Sequence, residues 1–574
     1  MTDVLFLDFE TYYEPKGGYS LSKMPTMQYI RDKRFECLGC GFGRQGKPWW
    51  VPGDALPGHL SSIDWSTTIA VAHNAAFDGA VLAERYGCKP AHWIDTKSWA
   101  QYAVAQGALP PDASTSLAWL GEFLGLSKGD TAEAVAAGGD TLAAYGLRDI
   151  EITRRLLDWL ATHCPMPDLE TRTIDLHVRM AAEPVLQLDV PLLTTIARGD
   201  EADPELAKAV RSRSRFAVAL RACGVEPGTK TSPTTGKSTL ALAKDDAFMR
   251  GLARHADPRV RRLHELRVSS ASTIAATRAE RFLAVGAPMP VPLWYYGAHT
   301  GRSSGADKLN MQNLPRAGFR DALVAPEGHR LVAADYSQVE ARVLAWGAQD
   351  AAALAPFLSG RDPYKTVAAD LYNCAYDEVD DEQRRRAKAA VLALGFGQGP
   401  TGFMAYCERF GIEMEPREAD RIVQAWRRGR PAMVRFWSEL YNRATTNGEL
   451  TLPSGRKLTY PDIRRAGYRK FEYQRPAIFS KRRGGRDVVR LWPGLVTENW
   501  VQAVARDIIW HAAVRMPWRV VMQIHDEVIM AVPTDEVPDA VPEIERVMLS
   551  VPGWAEGLPV ACEVAVGQTY GECK

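Results

Sequence analysis

The sequence predicts a multi-domain α/β protein, on the evidence of its length and two patterns of apolar residues. At 574 residues the chain is too long for one ordinary domain. Strand-like and helix-like runs alternate over the first third, whereas helical spacing dominates from 170 to 285 and from 338 to 445. A Gly-, Pro- and Thr-rich run at 225–241 predicts a loop or a helix-pair tip. We therefore expect an α/β domain over 1–165 and a larger mixed region over 166–574.

The composition is that of a globular protein that works in a reducing compartment. Hydrophobic residues make up 46% and charged residues 24%, with a net charge of +1. No apolar run approaches the ~20 residues of a membrane span, and the N-terminus lacks the pattern of a signal peptide. The nine cysteines are scattered, which indicates reduced thiols. These features predict a cytoplasmic location and no membrane partner.

A local excess of positive charge lies late in the chain. Between residues 455 and 490 there are twelve Lys or Arg and three acidic residues, with the densest part at "KRRGGRDVVR", 481–490. Such a run is typical either of a solvated loop or of a surface that follows phosphates. The cluster alone leaves both interpretations open.

Carboxylates in the first third form a candidate metal site. Asp8 and Glu10 are two apart on a strand-like run and so share one face. Asp78 follows the next strand-like run, and Tyr145 and Asp149 are four apart on a predicted helix. Carboxylates on one face repel one another unless a cation lies between them. Two Mg²⁺ ions held by such oxygens suit phosphoryl chemistry, and a tyrosine hydroxyl can orient the attacking water.

The ordered set D-x-E, D, Y-x-x-x-D resembles the proofreading 3′–5′ exonucleases of the DEDD type, in their tyrosine-bearing subgroup. The resemblance covers residues 1–165 and implies a ribonuclease H-like domain. It assigns metal binding to the four carboxylates and placement of water to the tyrosine. Since every required position is filled, we expect an active exonuclease.

A second pair of carboxylates belongs to distant apolar runs. Asp335 ends the strand-like run of "LVAADYSQVE", and "VVMQIHDEVIMAV" at 520–532 encloses His525, Asp526 and Glu527 in apolar residues. Burying adjacent carboxylates without a partner is very costly. A divalent ion shared by Asp335 and Asp526 would remove that cost.

Two further segments carry candidate substrate contacts. In "DEQRRRAKAAVLALGFGQG" the residues Arg384, Lys388, Leu392 and Phe396 recur every four positions, which predicts one helix face able to hold a triphosphate and stack on a base. The alternative is an amphipathic helix with a solvated basic end. A polar loop contains side chains that could reach sugars and minor-groove base edges, or that serve only as turn residues: Thr300, Arg302, Asn310, Gln312 and Asn313.

Four motifs, "TGRSS…LNMQNLP", "DYSQVE", "RRRAK…LGFG" and "QIHDE", resemble those of family A DNA polymerases, the bacterial polymerase I enzymes and their phage relatives. The resemblance implies a right hand of palm, fingers and thumb. The thumb would take 170–289, the palm 290–345 and 496–574, and the fingers 346–495. The basic run at 455–490 would then lie late in the fingers.

The resemblance also implies roles for individual residues. Asp335 and Asp526 match the metal-binding aspartates of the polymerase centre, with the backbone of Tyr336 as a further ligand. Glu527 is the adjacent carboxylate, and His525 would approach the primer terminus. The implied cofactors are two Mg²⁺ ions at each centre, with Mn²⁺ able to substitute.

Contacts to the incoming nucleotide and to DNA follow from the same resemblance. Glu340 matches the residue that crowds the sugar 2′ position, and Arg302 and Gln502 match residues that follow the minor groove. Three positions depart from the pattern: Leu392 replaces an aromatic residue, Phe396 a tyrosine and Tyr364 a histidine. The implied nucleotide-binding set is Tyr336, Gln338, Glu340, Tyr364, Arg384, Lys388, Leu392 and Phe396.

We therefore expect a monomeric, template-directed DNA polymerase with 3′–5′ proofreading, which binds primer-template DNA and dNTPs. A chain that starts directly at the exonuclease favours phage replication, in the cytoplasm of a bacterial host, over a host-type repair polymerase. Another alternative is a 3′–5′ exonuclease whose polymerase half only binds DNA. A non-catalytic DNA-binding module would need neither carboxylate set.

Overall fold

The computed structural model describes residues 3–44, 46–198, 210, 212–231, 238–242, 246–270, 273–315, 318–468, 470–480 and 487–574. The chain forms two compact units. The first comprises Met1–Gln187, Ala287–Leu314 and Val324–Lys574, and the second comprises Leu188–Gly286 and Pro315–Leu323. Most of the dense basic run predicted to follow phosphates, residues 481–486, lies outside the described residues.

The N-terminal part of the first unit is a mixed sheet with strand order β3-β2-β1-β4-β5. β1 pairs antiparallel with β2 and parallel with β4. The strands are β1 (Asp3–Thr11), β2 (Cys37–Gly43), β3 (Trp49–Pro52), β4 (Thr68–Ala72) and β5 (His92–Asp95). The helices are Thr26–Arg31, Leu56–Ser61, Ala75–Tyr86, Thr96–Ala105, Leu117–Phe123, Thr131–Ala137, Gly139–His163 and Asp168–Ala182.

The long helix Gly139–His163 lies directly on this sheet because β2 offers glycines beneath it. A Cβ at Gly41 would stand 3.0 Å from the carbonyl oxygen of Gly146, and one at Gly43 would stand 2.7 Å from Ile150. Only a residue without a side chain permits this approach. The close packing brings the polar face of the helix over β1, where the predicted carboxylates lie.

The second unit is mainly helical and has its own apolar core. Phe216, Leu220, Met249 and Val260 are buried together within it. The expected loop at 225–241 instead contains an antiparallel strand pair, because its β-branched threonines favour extended backbone. The elements are helices Val190–Arg198, Arg213–Ala222, Ala247–Leu252, Pro258–Ser270 and Thr273–Val285, with β6 (Gln187–Leu188) at the boundary, β7 (Thr229–Thr231) and β8 (Ser238–Leu240). The helix Asp168–Ala182, which the predicted boundary at 170 places in the thumb, belongs to the first unit.

The C-terminal part of the first unit is built on an antiparallel sheet with strand order β18-β19-β12-β20. β12 lies between β19 and β20, and in this register Asp335 is opposite Glu527. The strands from residue 293 onward are β9 (Leu293–Trp294), β10 (Ser304–Gly305), β11 (Leu323–Val324), β12 (His329–Tyr336), β13 (Glu449–Thr451), β14 (Lys457–Thr459), β15 (Arg464–Gly467), β16 (Lys470–Gln474), β17 (Val488–Leu491), β18 (Arg519–Ile524), β19 (Glu527–Pro533) and β20 (Cys562–Gly567).

Helices fill most of the chain between β12 and β18, as the apolar spacing predicts. The predicted helix with Arg384 and Lys388 is present, but it ends at Leu394, so Phe396 lies beyond its last turn. The α-helices are Val339–Gly347, Ala351–Leu358, Pro363–Tyr372, Asp381–Leu394, Pro400–Arg409, Pro416–Gly429, Pro431–Asn447, Pro493–Ala513 and Val537–Leu549. Short 3₁₀ helices are Met311–Asn313, Tyr376–Glu378, Ala477–Phe479 and Gly553–Ala555. Within the described residues, no helix combines the length and apolar character that a bilayer crossing requires.

A buried network of charges ties distant segments of the first unit together. Arg506, on the helix Pro493–Ala513, donates to both carboxylate oxygens of Glu170, one at 2.7 Å. The neighbouring Asp507 accepts from Arg456 at 2.8 Å, and Tyr295 donates to Glu170 at 2.5 Å. All of these side chains are buried, so the charges are stabilised by one another and by neighbouring polar groups such as the Ser454 hydroxyl and the Gly301 carbonyl, and not by bulk water.

Removing one arginine from this network should therefore destabilise the unit strongly. We expect Arg506→Met to lower the free energy of unfolding by roughly 3–5 kcal/mol, because Glu170 stays buried without its main partner. The exposed Arg546, paired with Glu543, is the matched control, and Arg546→Met should leave stability almost unchanged because water already screens that pair. Urea unfolding measures both, and equal effects of the two variants would contradict this role.

Candidate active sites

The first carboxylate cluster forms where β1 meets the helix Gly139–His163. Asp8 and Glu10 lie on the same face of β1, and Asp149 approaches them from the helix. One oxygen from each of the three carboxylates lies within 4.8 Å of the others. The structure therefore brings these three predicted ligands together.

Asp78 and Tyr145 lie beside the cluster and make other contacts. Asp78 is buried on the helix Ala75–Tyr86 and accepts a hydrogen bond from the Phe9 backbone N–H at 3.0 Å. The Tyr145 hydroxyl is 2.5 Å from the hydroxyl of Thr131. The Asp78 contact fixes the backbone of β1 between Asp8 and Glu10, in addition to any role in metal binding.

The sequence reasoning missed Lys128, which enters this cluster. Its ammonium group forms an ion pair with Asp149 Oδ2 and lies 5.0 Å from the ring centre of Tyr145. Lys128 belongs to the short segment between two helices, and a lone lysine in a polar loop carries no pattern that singles it out.

Burial and mutual repulsion dominate the electrostatics of the cluster. Burial, together with the charge of Asp149, raises the pKa of Asp8 to about 7. Burial and the charges of Asp8 and Asp149 raise the pKa of Glu10 to about 9. Asp8 Oδ2 and Asp149 Oδ1 are buried and have no hydrogen-bond partner among the described residues. Oxygen ligands that repel one another and lack donors fit hard divalent ions such as Mg²⁺.

The second centre lies at the junction of β12 and β19. The Tyr336 N–H donates to the Asp526 carbonyl oxygen at 3.2 Å, which holds Asp526 beside the end of β12. Burial and the nearby charge of Asp335 raise the pKa of Asp526. The two aspartates predicted to share metal are thus neighbours, although 191 residues separate Asp335 from Asp526 in the sequence.

Glu527 is held by the last residues of the chain. It is buried, and its Oε2 accepts from the Tyr570 hydroxyl at 2.7 Å and from Lys574 Nζ at 3.0 Å. The same Lys574 ammonium is 3.3 Å from Asp335 Oδ2. Lys574 thus bridges two carboxylates of this centre, a contact that the sequence did not indicate.

The turn that presents His525 is fixed by two glutamines. His525 is exposed and has a φ of 53°. Its N–H donates to Gln312 Oε1 at 3.0 Å, and its carbonyl oxygen accepts from Gln523 at 2.6 Å. Gln312 also donates to the Gln523 carbonyl oxygen at 2.6 Å. In this structure the buried side chain of Gln312, a predicted DNA contact, supports the turn.

The other predicted DNA contacts have different surroundings, and one of them pairs with Glu340. Arg302 donates to Glu340 at 2.5 Å, and Gln502 donates to Glu498 at 3.3 Å. Thr300 is buried, and its carbonyl oxygen is 3.5 Å from a nitrogen of Arg456. Asn313 and Gln338 are exposed, whereas the Asn310 side chain packs against Gly305.

The predicted triphosphate ligands are already partnered. Arg384 donates to Asp362 at 2.7 Å, and Asp362 caps the helix that begins at Pro363. Both the Arg384 guanidinium and the Lys388 ammonium lie 5.6 Å from the ring centre of the buried Tyr364. The aromatic residue at the family's histidine position thus forms a platform for both cations. Glu340, Leu392 and Phe396 line one apolar pocket beside this helix.

Comparison with known proteins settles the family. Residues 249–572 match the model of DNA polymerase family A, which is more than half of the chain. The chain belongs to DNA polymerase family A. The match includes both aspartates of the second centre and excludes the N-terminal carboxylate cluster.

Individual relatives of this family A polymerase are distant. It is 28% identical to DNA polymerase I of Pseudomonas aeruginosa over 281 residues, covering 48% of this chain and 29% of that protein. It is 27% identical to the DNA polymerase of Bacillus phage SP02 over 278 residues, covering 44% of this chain and 42% of that protein. The alignments thus span well under two thirds of either relative.

A solved structure resembles nearly the whole fold. The POL domain of Pol1 from M. smegmatis, in complex with DNA primer-template and dNTP, superposes with a TM-score of 0.70 at 19% identity. The similarity covers 94% of each chain. The predicted α/β fold class and family membership are confirmed, whereas the roles of individual site residues stay predictions.

The raised pKa values of Asp8 and Glu10 predict how the metal-free protein responds to pH. Between their ordinary values near 4 and the values of about 7 and about 9, the folded state binds protons that the unfolded state has released. The free energy of unfolding should therefore fall as the pH rises through this window.

Thermal melting in EDTA at pH values of about 5 and about 8.5 tests this. We expect the melting temperature to fall further between these two pH values in the wild type than in the Asp8→Asn, Glu10→Gln double variant. Mg²⁺ in excess of the EDTA should raise the melting temperature of the wild type by more than that of the double variant, which keeps only the Asp335–Asp526 centre. If the melting temperatures of the two proteins change equally with pH, the pKa values of Asp8 and Glu10 are not raised in the folded state.

Proposed function

We propose that this chain is a template-directed DNA polymerase that extends a primer with dNTPs and also has 3′–5′ exonuclease activity. The observation that carries the polymerase proposal is the close approach of Asp335 and Asp526 at the β12–β19 junction, within the segment that matches the family. The structural relative in complex with primer-template and dNTP supports these partners.

Asp335, Asp526 and the backbone of Tyr336 would hold two Mg²⁺ ions, or Mn²⁺ in their place. Bound there, the ions supply Lewis-acid activation of the primer 3′-hydroxyl and charge neutralisation on the leaving pyrophosphate. Glu527 and Lys574 would fix the edge of this centre, and the exposed His525 would approach the primer terminus.

Arg384 and Lys388 would bind the β- and γ-phosphates of the incoming nucleotide. Because Arg384 is paired with Asp362, nucleotide binding has to exchange one anionic partner for another. Glu340 would crowd the sugar 2′ position and exclude ribonucleotides, with Arg302 holding its carboxylate in place.

The N-terminal cluster would carry the exonuclease. Asp8, Glu10 and Asp149, with Asp78 beside them, would hold metal, and Tyr145 would orient the attacking water. A mispaired primer end frays more easily than a paired one, so mismatches would pass to this centre. A nuclease whose second half only binds DNA is the rival function, and it leaves the partnering of Asp335 and Asp526 unexplained.

The process we propose is phage DNA replication by a monomer in the bacterial host cytoplasm, and a relative from Bacillus phage SP02 supports it. A host repair polymerase is the alternative, which the bacterial relatives favour.

Asp526→Ala should abolish primer extension and leave degradation of single-stranded DNA unchanged, since the two centres are separate carboxylate sets. The double variant Asp8→Asn, Glu10→Gln should show the opposite pattern. Asp535→Ala, an exposed aspartate after β19, is the matched control and should keep both activities. Extension and degradation of a 5′-labelled primer measure the outcome, and joint loss of both activities in Asp526→Ala would refute separate centres.

Leu392→Tyr should increase incorporation of dideoxynucleotides relative to deoxynucleotides. A tyrosine hydroxyl beside the sugar can replace the contact that the missing 3′-hydroxyl would make, whereas leucine cannot. Chain-termination assays with mixed nucleotides measure this ratio, with Leu392→Phe as the control that adds a ring without a hydroxyl. An unchanged ratio in Leu392→Tyr would exclude Leu392 from sugar discrimination.

A further inference from the structure

Lys128 occupies a position in the N-terminal cluster that the proposed mechanism does not use. Its ammonium group is ion-paired with Asp149 Oδ2, and its side chain is 20% exposed. Asp149 Oδ1 and Asp8 Oδ2 are left buried without a partner in the described part of the chain. Asp149 Oδ2 is therefore paired with an internal cation, whereas Asp149 Oδ1 and Asp8 Oδ2 are not.

An ammonium ion and a divalent ion compete for one carboxylate. Here the ammonium group is bonded to Asp149 Oδ2 and a divalent ion could take Oδ1, but two cations a few ångströms apart repel each other in a site shielded from water. A divalent ion that binds Asp8 and Glu10 and extends to Asp149 must therefore overcome the charge of Lys128.

We propose that Lys128 is a built-in competitor of divalent metal ions at Asp149. With Lys128 in place, a divalent ion can reach Asp8, Glu10 and Asp149 Oδ1 only against the repulsion of the ammonium charge. Binding through both oxygens of Asp149 requires the ammonium group to leave. This inference rests on the proposed exonuclease centre and assigns Lys128 as a positioning residue that sets its metal affinity.

The surroundings of Lys128 allow such a departure. The residues on either side of it, Ser127 and Gly129, are exposed, and Gly129 has a φ of 80°. The ammonium group makes contacts with Asp149 and the ring of Tyr145 and is not enclosed in the apolar core. Moving it toward solvent therefore breaks an ion pair without opening a cavity.

Binding of Mn²⁺ alone, followed by the electron paramagnetic resonance signal of the free ion, tests the proposal without any reaction. The full chain carries Asp335→Asn and Asp526→Asn, so that the polymerase centre does not contribute. In this background Lys128→Met should lower the Mn²⁺ dissociation constant about tenfold, because a competing positive charge is gone. Lys128→Gln, which keeps a polar side chain, should act in the same direction.

Lys97→Met is the matched control. Lys97 also lies over an aromatic ring, 4.6 Å from the centre of Trp294, but it donates to Asn74 and not to the carboxylate cluster. Its loss should leave Mn²⁺ affinity unchanged. Adding Glu10→Gln to Lys128→Met should remove the gain, which places the ion in this cluster.

Unchanged or weaker Mn²⁺ binding in both Lys128 variants would overturn the proposal, as would an equal gain in Lys97→Met. Degradation of single-stranded DNA by the wild type is measured separately. If the wild type does not degrade DNA but Lys128→Met binds Mn²⁺ more tightly, the exonuclease function fails and the competition stands. If the wild type degrades DNA and the affinity does not change, the competition alone fails.

Discussion

Repulsion between closely spaced carboxylates, most of them buried or half-buried, is the constraint on which both centres depend. Asp8, Glu10 and Asp149 converge in one place, and Asp335, Asp526 and Glu527 converge in another, although like charges at such distances oppose folding. In each centre a lysine partly offsets this repulsion, Lys128 in the first and Lys574 in the second. A folded protein without metal is thus possible, and the remaining unpartnered oxygens retain their attraction for divalent ions.

The site carboxylates are also held in position by backbone packing, a backbone hydrogen bond and a remote ion pair, in which their own charges take no part. Glycines in β2 let the helix with Asp149 approach β1, and the backbone bond from Tyr336 to Asp526 sets the second junction. The buried pair of Arg506 and Glu170 joins a helix that follows the N-terminal domain to the long helix before β18. The positions of the site carboxylates are thus set by backbone contacts and by remote ion pairs, in addition to their own pairing with Lys128 and Lys574.

The sequence predicted which carboxylates come together better than it predicted the residues around them. Asp335 and Asp526 were expected to be neighbours because isolated carboxylates in apolar strands demand a shared partner, and the structure places them side by side, whereas the shared metal stays a prediction. The roles of Lys128 and Lys574 were not predicted because neither lysine belongs to a helical or strand-like repeat, and neither lies in an apolar run that would indicate burial. Gln312 was assigned to DNA from its polar loop, and only the fold shows that it holds the turn at His525. The antiparallel pair β7–β8 was not predicted because the Gly and Pro residues at 225–241 indicated a loop more strongly than the threonines indicated strands.

The ion pair between Arg384 and Asp362 would make the proposed nucleotide binding an exchange reaction. A phosphate bound to Arg384 would displace a carboxylate of the protein, so the number of ion pairs at that arginine would stay the same before and after binding. The measured affinity would then report a difference between two similar ion pairs at Arg384, whereas at Lys388 an ion pair to phosphate would be added to the contact with the Tyr364 ring. Added salt weakens both partners of the exchange alike. Of the two proposed phosphate ligands on this helix, the lysine should therefore carry most of the ionic-strength dependence of nucleotide affinity.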